Sequence, residues 1–421
     1  MTEAQSNVPD GERSRQPTEI EVSTSQDLLQ ASGDEAGTAP GDRKFRPDIE
    51  GLRAWAILLV VLFHAGVPGI KGGFVGVDVF FVLSGFVITG LLLRERISTG
   101  KTKLGGFYGR RSRRILPAAT AVIILTIFAS YHWLGFLTGD TVAHDARAAS
   151  LFFANFQFIH EGTNYLASQA PPSPLQNFWS LAVEEQFYLI FPSMFIAAAF
   201  VLKKRSLEVK LATMLSVIIA VSLLWSIHQT SVNSTVAFFS PFTRAWELAL
   251  GALVAVLSSR ISRIPKRVAV AMGWLGLAGI LIAAFAYDPT TPYPGSAALL
   301  PVLSTVLVVA AGRVNPVGGA ESLLRFRPFQ WIGRISYSMY LWHWPILVIA
   351  AQYAGHPLSV SDNLLWLLLA LALSILSYKL YENPIRHWAV LVRSASLSML
   401  AGLALIVLSV GIATIEIAQH S

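Results

Sequence analysis

The chain contains 421 residues, of which 53% are hydrophobic and only 14% are charged. Soluble domains carry roughly 25% charged residues, so this composition excludes an ordinary soluble globular protein. The absence of cysteine excludes disulfides, thiolate nucleophiles and cysteine-based metal sites. The net charge of +7 lies in loops between apolar blocks, which is a membrane topology signal rather than a nucleic-acid-binding surface.

Residues 1–44 differ from the rest of the chain. They are rich in Ser, Glu, Asp, Gln and Gly and almost lack aromatic residues. Such a segment buries too little surface to offset the entropy lost on ordering. It also lacks a basic region followed by an apolar stretch, so it is not a signal peptide. We therefore predict a disordered cytoplasmic tail.

Apolar blocks of about 20 residues, the length of a helix that crosses ~30 Å of hydrocarbon, recur along the remaining chain. They predict an all-α fold, a polytopic membrane helix bundle with about 10–11 transmembrane helices. The eleven predicted spans are residues 52–68, 75–94, 115–135, 178–200, 210–228, 240–258, 268–287, 295–312, 332–353, 363–382 and 396–417.

Lys and Arg are distributed unevenly among the loops. Of the 32 such residues, all except Lys71, Arg147 and Arg244 lie in the tail, in alternate loops or at the start of the first span. The positive-inside rule then places the N-terminus in the cytoplasm and, with eleven spans, the C-terminus outside. The longest outer loop is 136–177, and its apolar stretch 148–160 predicts a short re-entrant or interfacial helix.

Arg53 and His64 stand out in the first span, because a charged residue in hydrocarbon costs at least ~2.5–3.5 kcal/mol and is a functional candidate by default. At about 100° per residue, their spacing returns them to nearly the same helix face, about three turns and ~16 Å apart. Imidazole is the usual general base at neutral pH, so we predict that His64 is catalytic. The alternatives are that Arg53 only anchors the topology and that His64 only hydrogen-bonds a neighbour.

Acidic residues open two further spans. Asp78 follows closely spaced glycines, which predict close helix packing. An ionised Asp78 needs a partner there, and His64 or an arginine is the obvious choice. Glu184 and Glu185 open the fourth span, and adjacent residues do not share a helix face, so at most one is expected to point at a given site.

Four arginines occupy five positions where the third predicted span begins, in Arg110-Arg-Ser-Arg-Arg. Arg111 and Arg114 share a helix face, and guanidinium forks suit phosphates. They are predicted to bind a phosphate-bearing ligand, the alternative being a membrane-surface anchor. In the sixth span Arg244 and Glu247 stand three residues apart and are predicted to pair with each other.

Two later motifs carry polar groups. The ninth span contains Ser336-Tyr-Ser-Met-Tyr-Leu-Trp-His-Trp-Pro, which brings His343 and several hydroxyls into the membrane, and Tyr381-Glu-Asn-Pro-Ile-Arg is either a motif or only a helix stop. Together with the earlier segments, these motifs resemble the membrane acyltransferase-3 family from about Phe45 to Arg386. The segments that carry the resemblance, in chain order, are RPDIEGLR with His64 following, GVDVFFVLSG, RRSRRILP, WSLAVEEQFY, SYSMYLWH and YENP.

The resemblance implies transfer of an acyl group, usually acetyl, from cytoplasmic acyl-CoA to a hydroxyl, mostly on carbohydrates of bacterial surface glycans, with glycolipids and other lipids among further acceptors. It places the family's Arg–ten residues–His motif on Arg53 and His64 and its Arg-x-x-Arg motif on Arg111 and Arg114. Residues 45–393 then form the acyltransferase domain in the bacterial cytoplasmic membrane, and 394–421 an additional helix ending outside. Some members carry an extracytoplasmic SGNH domain after the last span. This chain ends about four residues beyond that span, so it works alone, has a separate extracytoplasmic partner, or is truncated.

We therefore predict an O-acyltransferase, without a metal, in which Arg111 and Arg114 hold the phosphates of acyl-CoA and Arg53 lines its path. His64 acts as general base on the acceptor hydroxyl, or accepts the acyl group and hands it on. Asp78 or Glu185 is expected to orient the imidazole. The alternative is a transporter or flippase of a glycan or lipid precursor, in which the buried charges form a permeation path. The lack of an internal repeat and the arginine cluster argue against that alternative.

Overall fold

The computed structural model describes residues 46–162, 171–200 and 205–420. Regular structure within these ranges is helical, with no strand, which confirms the all-α prediction. The helices are α1 (Pro47–His64), α2 (Gly76–Thr99), α3 (Leu104–Leu134), α4 (Phe136–Ser150), α5 (Ala154–His160), α6 (Phe178–Phe200), α7 (Leu207–Val232), α8 (Ser234–Phe239), α9 (Pro241–Val256), α10 (Ser258–Ile261), α11 (Lys266–Ala286), α12 (Leu299–Val314), α13 (Glu321–Leu324), α14 (Arg327–Ala354), α15 (Val360–Ser377), α16 (Asn383–His387), α17 (Ala389–Arg393) and α18 (Ala395–His420). The tail predicted for residues 1–44 lies outside the described ranges.

Each predicted span overlaps one of these helices. In order, they are α1, α2, α3, α6, α7, α9, α11, α12, α14, α15 and α18. Among the described residues, seven helical segments are long and apolar enough to cross a membrane, and they contain α2, α3, α6, α7, α11, α15 and α18. These helices support a polytopic helix bundle. The first helix is not among the seven, because Asp48, Glu50 and Arg53 fall within its 18 residues.

Glycines allow α1 and α2 to approach closely. A Cβ atom on Gly76, the first residue of α2, would lie 2.4 Å from the carbonyl oxygen of Ala56, and one on Gly73, in the turn just before α2, would lie 2.3 Å from that of Leu59. Both distances are shorter than any Cβ contact allows, so a larger residue would push the helices apart. The close packing predicted for this glycine-rich segment is confirmed, and it fixes α1 at the level of Arg53 and His64.

The loop between the third and fourth spans is built differently from its prediction. The apolar stretch 148–160 does not form one helix, because α4 ends at Ser150 and α5 begins at Ala154. Between them Phe152 has φ of 55°, in the left-handed region, where a right-handed helix cannot continue. The predicted extent of a single helix was therefore wrong, and two helices meet at a sharp turn.

The chain does not leave the helical conformation at Tyr381, where a stop was one of the two interpretations. A π-helical turn over Tyr378–Glu382 follows α15 and leads directly into α16. Such wider turns are rare and frequently occur at functional sites. Here the turn buries Glu382 to 4% exposure, and its side chain accepts a hydrogen bond from Ser338 of α14.

Candidate active site

Polar side chains join α1 to α14 at two levels. Arg53 donates to the Ser336 hydroxyl from Nη2 at 2.9 Å and from Nε at 3.2 Å. Near the end of α1, Nδ1 of His64 lies 3.0 Å from Nε2 of His343. Both contacts advance in the same direction along the two helices, so α1 and α14 run parallel. The helical spacing had placed Arg53 and His64 on one face of α1, and α14 is the helix that this face contacts.

The two histidines form a compact aromatic contact. Their ring planes are 14° apart with centroids 5.2 Å apart, and the Trp344 ring lies 4.5 Å from that of His64. His343 is completely buried, whereas His64 is partly exposed at the end of its helix. One turn earlier on α14, the carbonyl oxygen of Met339 lies 3.0 Å from Nδ1 of His343. The position of the His64 ring is therefore defined by its contact with the Trp344 ring and by its hydrogen bond to His343.

Arg111 lies among acidic and aromatic side chains of α6. Its Nη2 is 2.5 Å from Oε1 of Glu185 and 3.6 Å from Oε1 of Glu184, and its guanidinium lies 3.7 Å from the centre of the Tyr188 ring. Glu184 also accepts hydrogen bonds from Ser84 at 2.8 Å and from Tyr188 at 2.6 Å. The expectation that only one of the two glutamates would reach a given site was wrong, because both flexible side chains reach one guanidinium from adjacent positions.

Arg114 follows Arg111 by one turn of α3 and has a different environment. Among the described residues it forms no direct hydrogen bond or ion pair, and its electrostatic neighbours are Arg53, Arg111 and Arg386. The carboxylate of Glu382 interacts with Arg114, Arg53 and Arg386 together. An arginine that lies beside three others and shares one carboxylate with two of them is suited to bind an anion. We call Arg53, Arg111, Arg114 and Arg386 the arginine cluster.

Several residues of this site had been assigned no role from the sequence. Ser336 and His343 are seven residues apart, so they share a face of α14, and this spacing was the available signal. Glu382 and Arg386 are four residues apart in the segment that was interpreted as either a motif or a helix stop. Ser338 gave no such signal. What the spacing could not reveal was that α1, α3, α14 and α16 meet at one place.

Asp78 lies in a separate charged centre. Nη1 of Arg244 is 2.9 Å from Oδ1 of Asp78 and 2.7 Å from Oε1 of Glu247, so the predicted pairing of Arg244 with Glu247 is confirmed and Asp78 also binds this arginine. Arg244 is 1% exposed. Its guanidinium carbon lies 5.2–5.9 Å from the centres of four aromatic rings, those of Phe81, Trp179, Phe238 and Tyr293. We call this group the Arg244 centre.

The residues predicted to contact His64 bind other side chains in the structure. In the described part of the chain, the carboxylates of Asp78 and Glu185 bind Arg244 and Arg111 rather than His64. The contact that fixes the imidazole comes from His343. The catalytic roles predicted for Asp78 and Glu185 remain predictions, and any such role would act through the arginines.

Comparison with known proteins places this geometry in context. Residues 46–381 match the family described as "Acyltransferase domain". The peptidoglycan O-acetyltransferase OatA of Listeria monocytogenes is 32% identical over 366 residues, covering 82% of this chain and 56% of that protein. The O-acetyltransferase OatA of Staphylococcus aureus is 30% identical over 351 residues, covering 82% and 57%, and YrhL of Bacillus subtilis is 31% identical over 357 residues, covering 82% and 55%. The chain thus spans just over half the length of these relatives. No solved structure matches it.

Proposed function

The chain belongs to the acyltransferase-3 family, and from this premise we propose that it transfers an acetyl group from cytoplasmic acyl-CoA to a hydroxyl of a bacterial cell-surface glycan. The observation that carries the proposal is the pair of contacts between α1 and α14. One contact is made by Arg53 of the arginine cluster, and the other is made by His64. Such a pair links a site for a phosphate-bearing donor to a base some three helical turns away.

The donor end is the arginine cluster. Acyl-CoA carries several phosphates, and guanidinium forks bind phosphates through paired, charge-assisted hydrogen bonds. Arg114 is the central residue of this proposal, since its side chain has three arginine neighbours and no direct ion pair among the described residues. Arg53, held by Ser336, is the cluster member on α1 and so links the cluster to the helix that ends at His64. In the proposed orientation, with the N-terminus in the cytoplasm, this end opens to the cytoplasmic donor.

The transfer step needs one base. An acceptor hydroxyl attacks the thioester carbonyl and gives its proton to His64. The carbon–sulfur bond breaks, and the leaving thiolate takes the proton from His64. The products are the ester and free CoA, so atoms and charges balance. In a variant of the same scheme, His64 attacks the thioester itself and passes the acyl group to the hydroxyl. Both versions use the same imidazole.

The acceptor enters from the other end. His64 lies at the outer end of α1 in the proposed topology. Its neighbour Trp344 donates a hydrogen bond to the carbonyl oxygen of Ser173, and we expect the loop that contains Ser173 to contribute to specificity. The names of OatA from Listeria monocytogenes and YrhL from Bacillus subtilis include the glycan peptidoglycan, and we propose a carbohydrate acceptor of this class for the present chain. We propose that the acceptor reaches His64 from this side, presented at the bilayer surface or delivered by an extracytoplasmic domain or partner.

The first test replaces the base. A His64→Ala variant should insert into the membrane normally and lose acyl transfer by about 10²–10⁴-fold, the usual contribution of a positioned general base. Transfer is measured with isotopically labelled acetyl-CoA supplied to inverted membrane vesicles, followed by mass spectrometry of glycans and lipids. His356→Ala, at an exposed histidine in the turn after α14, is the matched control.

Two outcomes would contradict the proposal. Transfer close to that of the unmodified protein in the His64→Ala variant would remove His64 from the chemistry. Accumulation of a glycan or lipid precursor without any labelled acetyl group would instead favour a transporter or flippase.

A further inference from the structure

We propose that His343 is a positioning residue: through Nε2 it holds the proton of His64 on Nδ1, which makes Nε2 of His64 the reactive nitrogen. This inference rests on the proposed function, because it assigns a task to a neighbour of the base. The observation behind it is a chain of two hydrogen bonds that runs from the backbone of α14 through His343 to His64.

The direction of this chain follows from its fixed end. The carbonyl oxygen of Met339 can only accept, so Nδ1 of His343, 3.0 Å away, carries a hydrogen and donates it. In neutral His343, Nε2 is therefore an acceptor. Nδ1 of His64 lies 3.0 Å from that acceptor and must be the donor. The neutral His64 ring then has its basic lone pair on Nε2.

The neutral form of His343 is the one that burial favours. The ring is completely buried, and in the described part of the chain no carboxylate forms a hydrogen bond or ion pair with it. A buried cation without a counter-charge is costly. Among the described aromatic side chains, those of His64 and Tyr340 lie beside the His343 ring. The backbone carbonyl thus sets the tautomer of the first histidine, and the first sets that of the second.

This arrangement suits both versions of the transfer step. When Nε2 of His64 takes the hydroxyl proton, the ring becomes an imidazolium, and its Nδ1–H donates a stronger, charge-assisted bond to His343. When Nε2 instead attacks the thioester, the acylated ring carries the same charge and makes the same bond. In either case His343 stabilises the charged state more than the resting state, which is the condition for raising kcat rather than lowering KM.

Different results are expected if His343 only packs between α1 and α14. It would tolerate an apolar side chain of similar size, or lose folded protein and activity in parallel. A positioning role requires an acceptor at the place of Nε2. The side-chain amide oxygen of glutamine can reach that place, whereas leucine fills the volume without any acceptor.

The functional test compares His343→Gln with His343→Leu in the labelled-acetyl assay. We expect His343→Leu to lower kcat by about 10- to 100-fold, the loss that follows from removing one hydrogen bond to a charged group, with little change in the donor KM. His343→Gln should recover a large part of kcat. His356→Leu controls for replacing a histidine in general. Equal kcat in the Gln and Leu variants would overturn the inference.

A second measurement does not depend on activity. Nitrogen-15 NMR of the protein with labelled histidines distinguishes Nδ1–H from Nε2–H rings, and the signals of His64 are identified by their loss in His64→Asn. We expect His64 to be the Nδ1–H tautomer in the unmodified protein and in His343→Gln, and to lose this preference in His343→Leu. An Nε2–H ring in the unmodified protein would overturn the inference even if His64 is essential, whereas an active His64→Ala variant would overturn the proposed function.

Discussion

Two charged groups lie within the helix bundle, the Arg244 centre and the arginine cluster, and they differ in how the arginine charge is balanced. In the Arg244 centre one guanidinium binds two carboxylates and is enclosed by four aromatic rings, with 1% of the arginine exposed. In the arginine cluster, Arg114 lies beside three other arginines and forms no direct ion pair among the described residues. Buried charge alone therefore does not indicate catalysis. The informative feature is a charge that the protein itself leaves incompletely paired.

The largest expected effect lies in the Arg244 centre. Arg244→Leu leaves two buried carboxylates without their counter-charge, and breaking a buried pair typically costs about 3–5 kcal/mol. We expect a marked loss of folded protein, measured as thermal stability in detergent. Replacing all three charges, with Asp78→Asn and Glu247→Gln added, should restore part of that stability.

The control for this prediction is a pair on the surface. Arg260 and Glu208 are 2.6 Å apart, but the Arg260 side chain is 66% exposed, so Arg260→Leu should change stability by less than about 1 kcal/mol. If Arg244→Leu gave a stable protein that was inactive, the Arg244 centre would be functional, and the contrast between the two groups of arginines would fail.

The next effect concerns the arginine cluster. Arg114→Lys keeps the charge but removes the planar fork, so we expect the KM for acyl-CoA to rise about tenfold, or ~1.4 kcal/mol, with little change in thermal stability. Arg111→Lys should raise KM and also lower stability, because Arg111 binds Glu185. Arg110→Lys, at the neighbouring pair with Glu95, is the matched control. If the KM for acyl-CoA were unchanged in both Arg114→Lys and Arg111→Lys, these arginines would serve only as topology anchors.

The last effect depends on pH and is expected at Asp145, a buried acid of α4 that forms no ion pair with a Lys or Arg among the described residues. The carboxyl is 1% exposed, and burial, together with the nearby Glu161 carboxylate, raises its pKa to about 8. The folded state therefore binds this proton more tightly than the unfolded state does. The contribution of the protonated Asp145 to the free energy of unfolding is fully present below about pH 4 and is lost as the pH rises through about 8.

Asp145→Asn should accordingly match the unmodified protein near pH 4 and become increasingly more stable than it between about pH 4 and pH 8. Thermal unfolding measured over this range checks the prediction. Asp140→Asn, at a more exposed acid of the same helix, should show no comparable gain. A constant difference between Asp145→Asn and the unmodified protein at all pH values would show that hydrogen bonding, and not ionisation, governs this position.

The helices and their order could be predicted from the sequence because hydropathy and the length of an apolar block are local properties. The same holds for Arg244 and Glu247, whose three-residue spacing on one helix settles their contact. The end of α4 could not be predicted, since it depends on the left-handed backbone at Phe152, a residue type that rarely adopts it. Local patterns thus predicted elements and pairs within an element.

The partners across helices could not be predicted, because they depend on which helices become neighbours. Two candidates remained open for Asp78, and the structure brings it to Arg244, 166 residues away. His64 was expected to meet a carboxylate and meets His343 instead. That Arg386 and Glu382 lie near the arginines of α1 and α3 could not be predicted from the sequence either. These contacts form the candidate site, so most of its geometry had to come from the structure.

The parallel pairing of α1 and α14 also has a consequence for biogenesis. His64 and His343 are 279 residues apart in the chain, so at about 5–20 residues per second α1 is made on the order of tens of seconds before its partner. During that interval Arg53 and His64 have neither Ser336 nor His343 beside them. The contacts that join the first helix to α14 therefore form late in synthesis, and until the ninth span has been made a nascent chain cannot form the paired histidines.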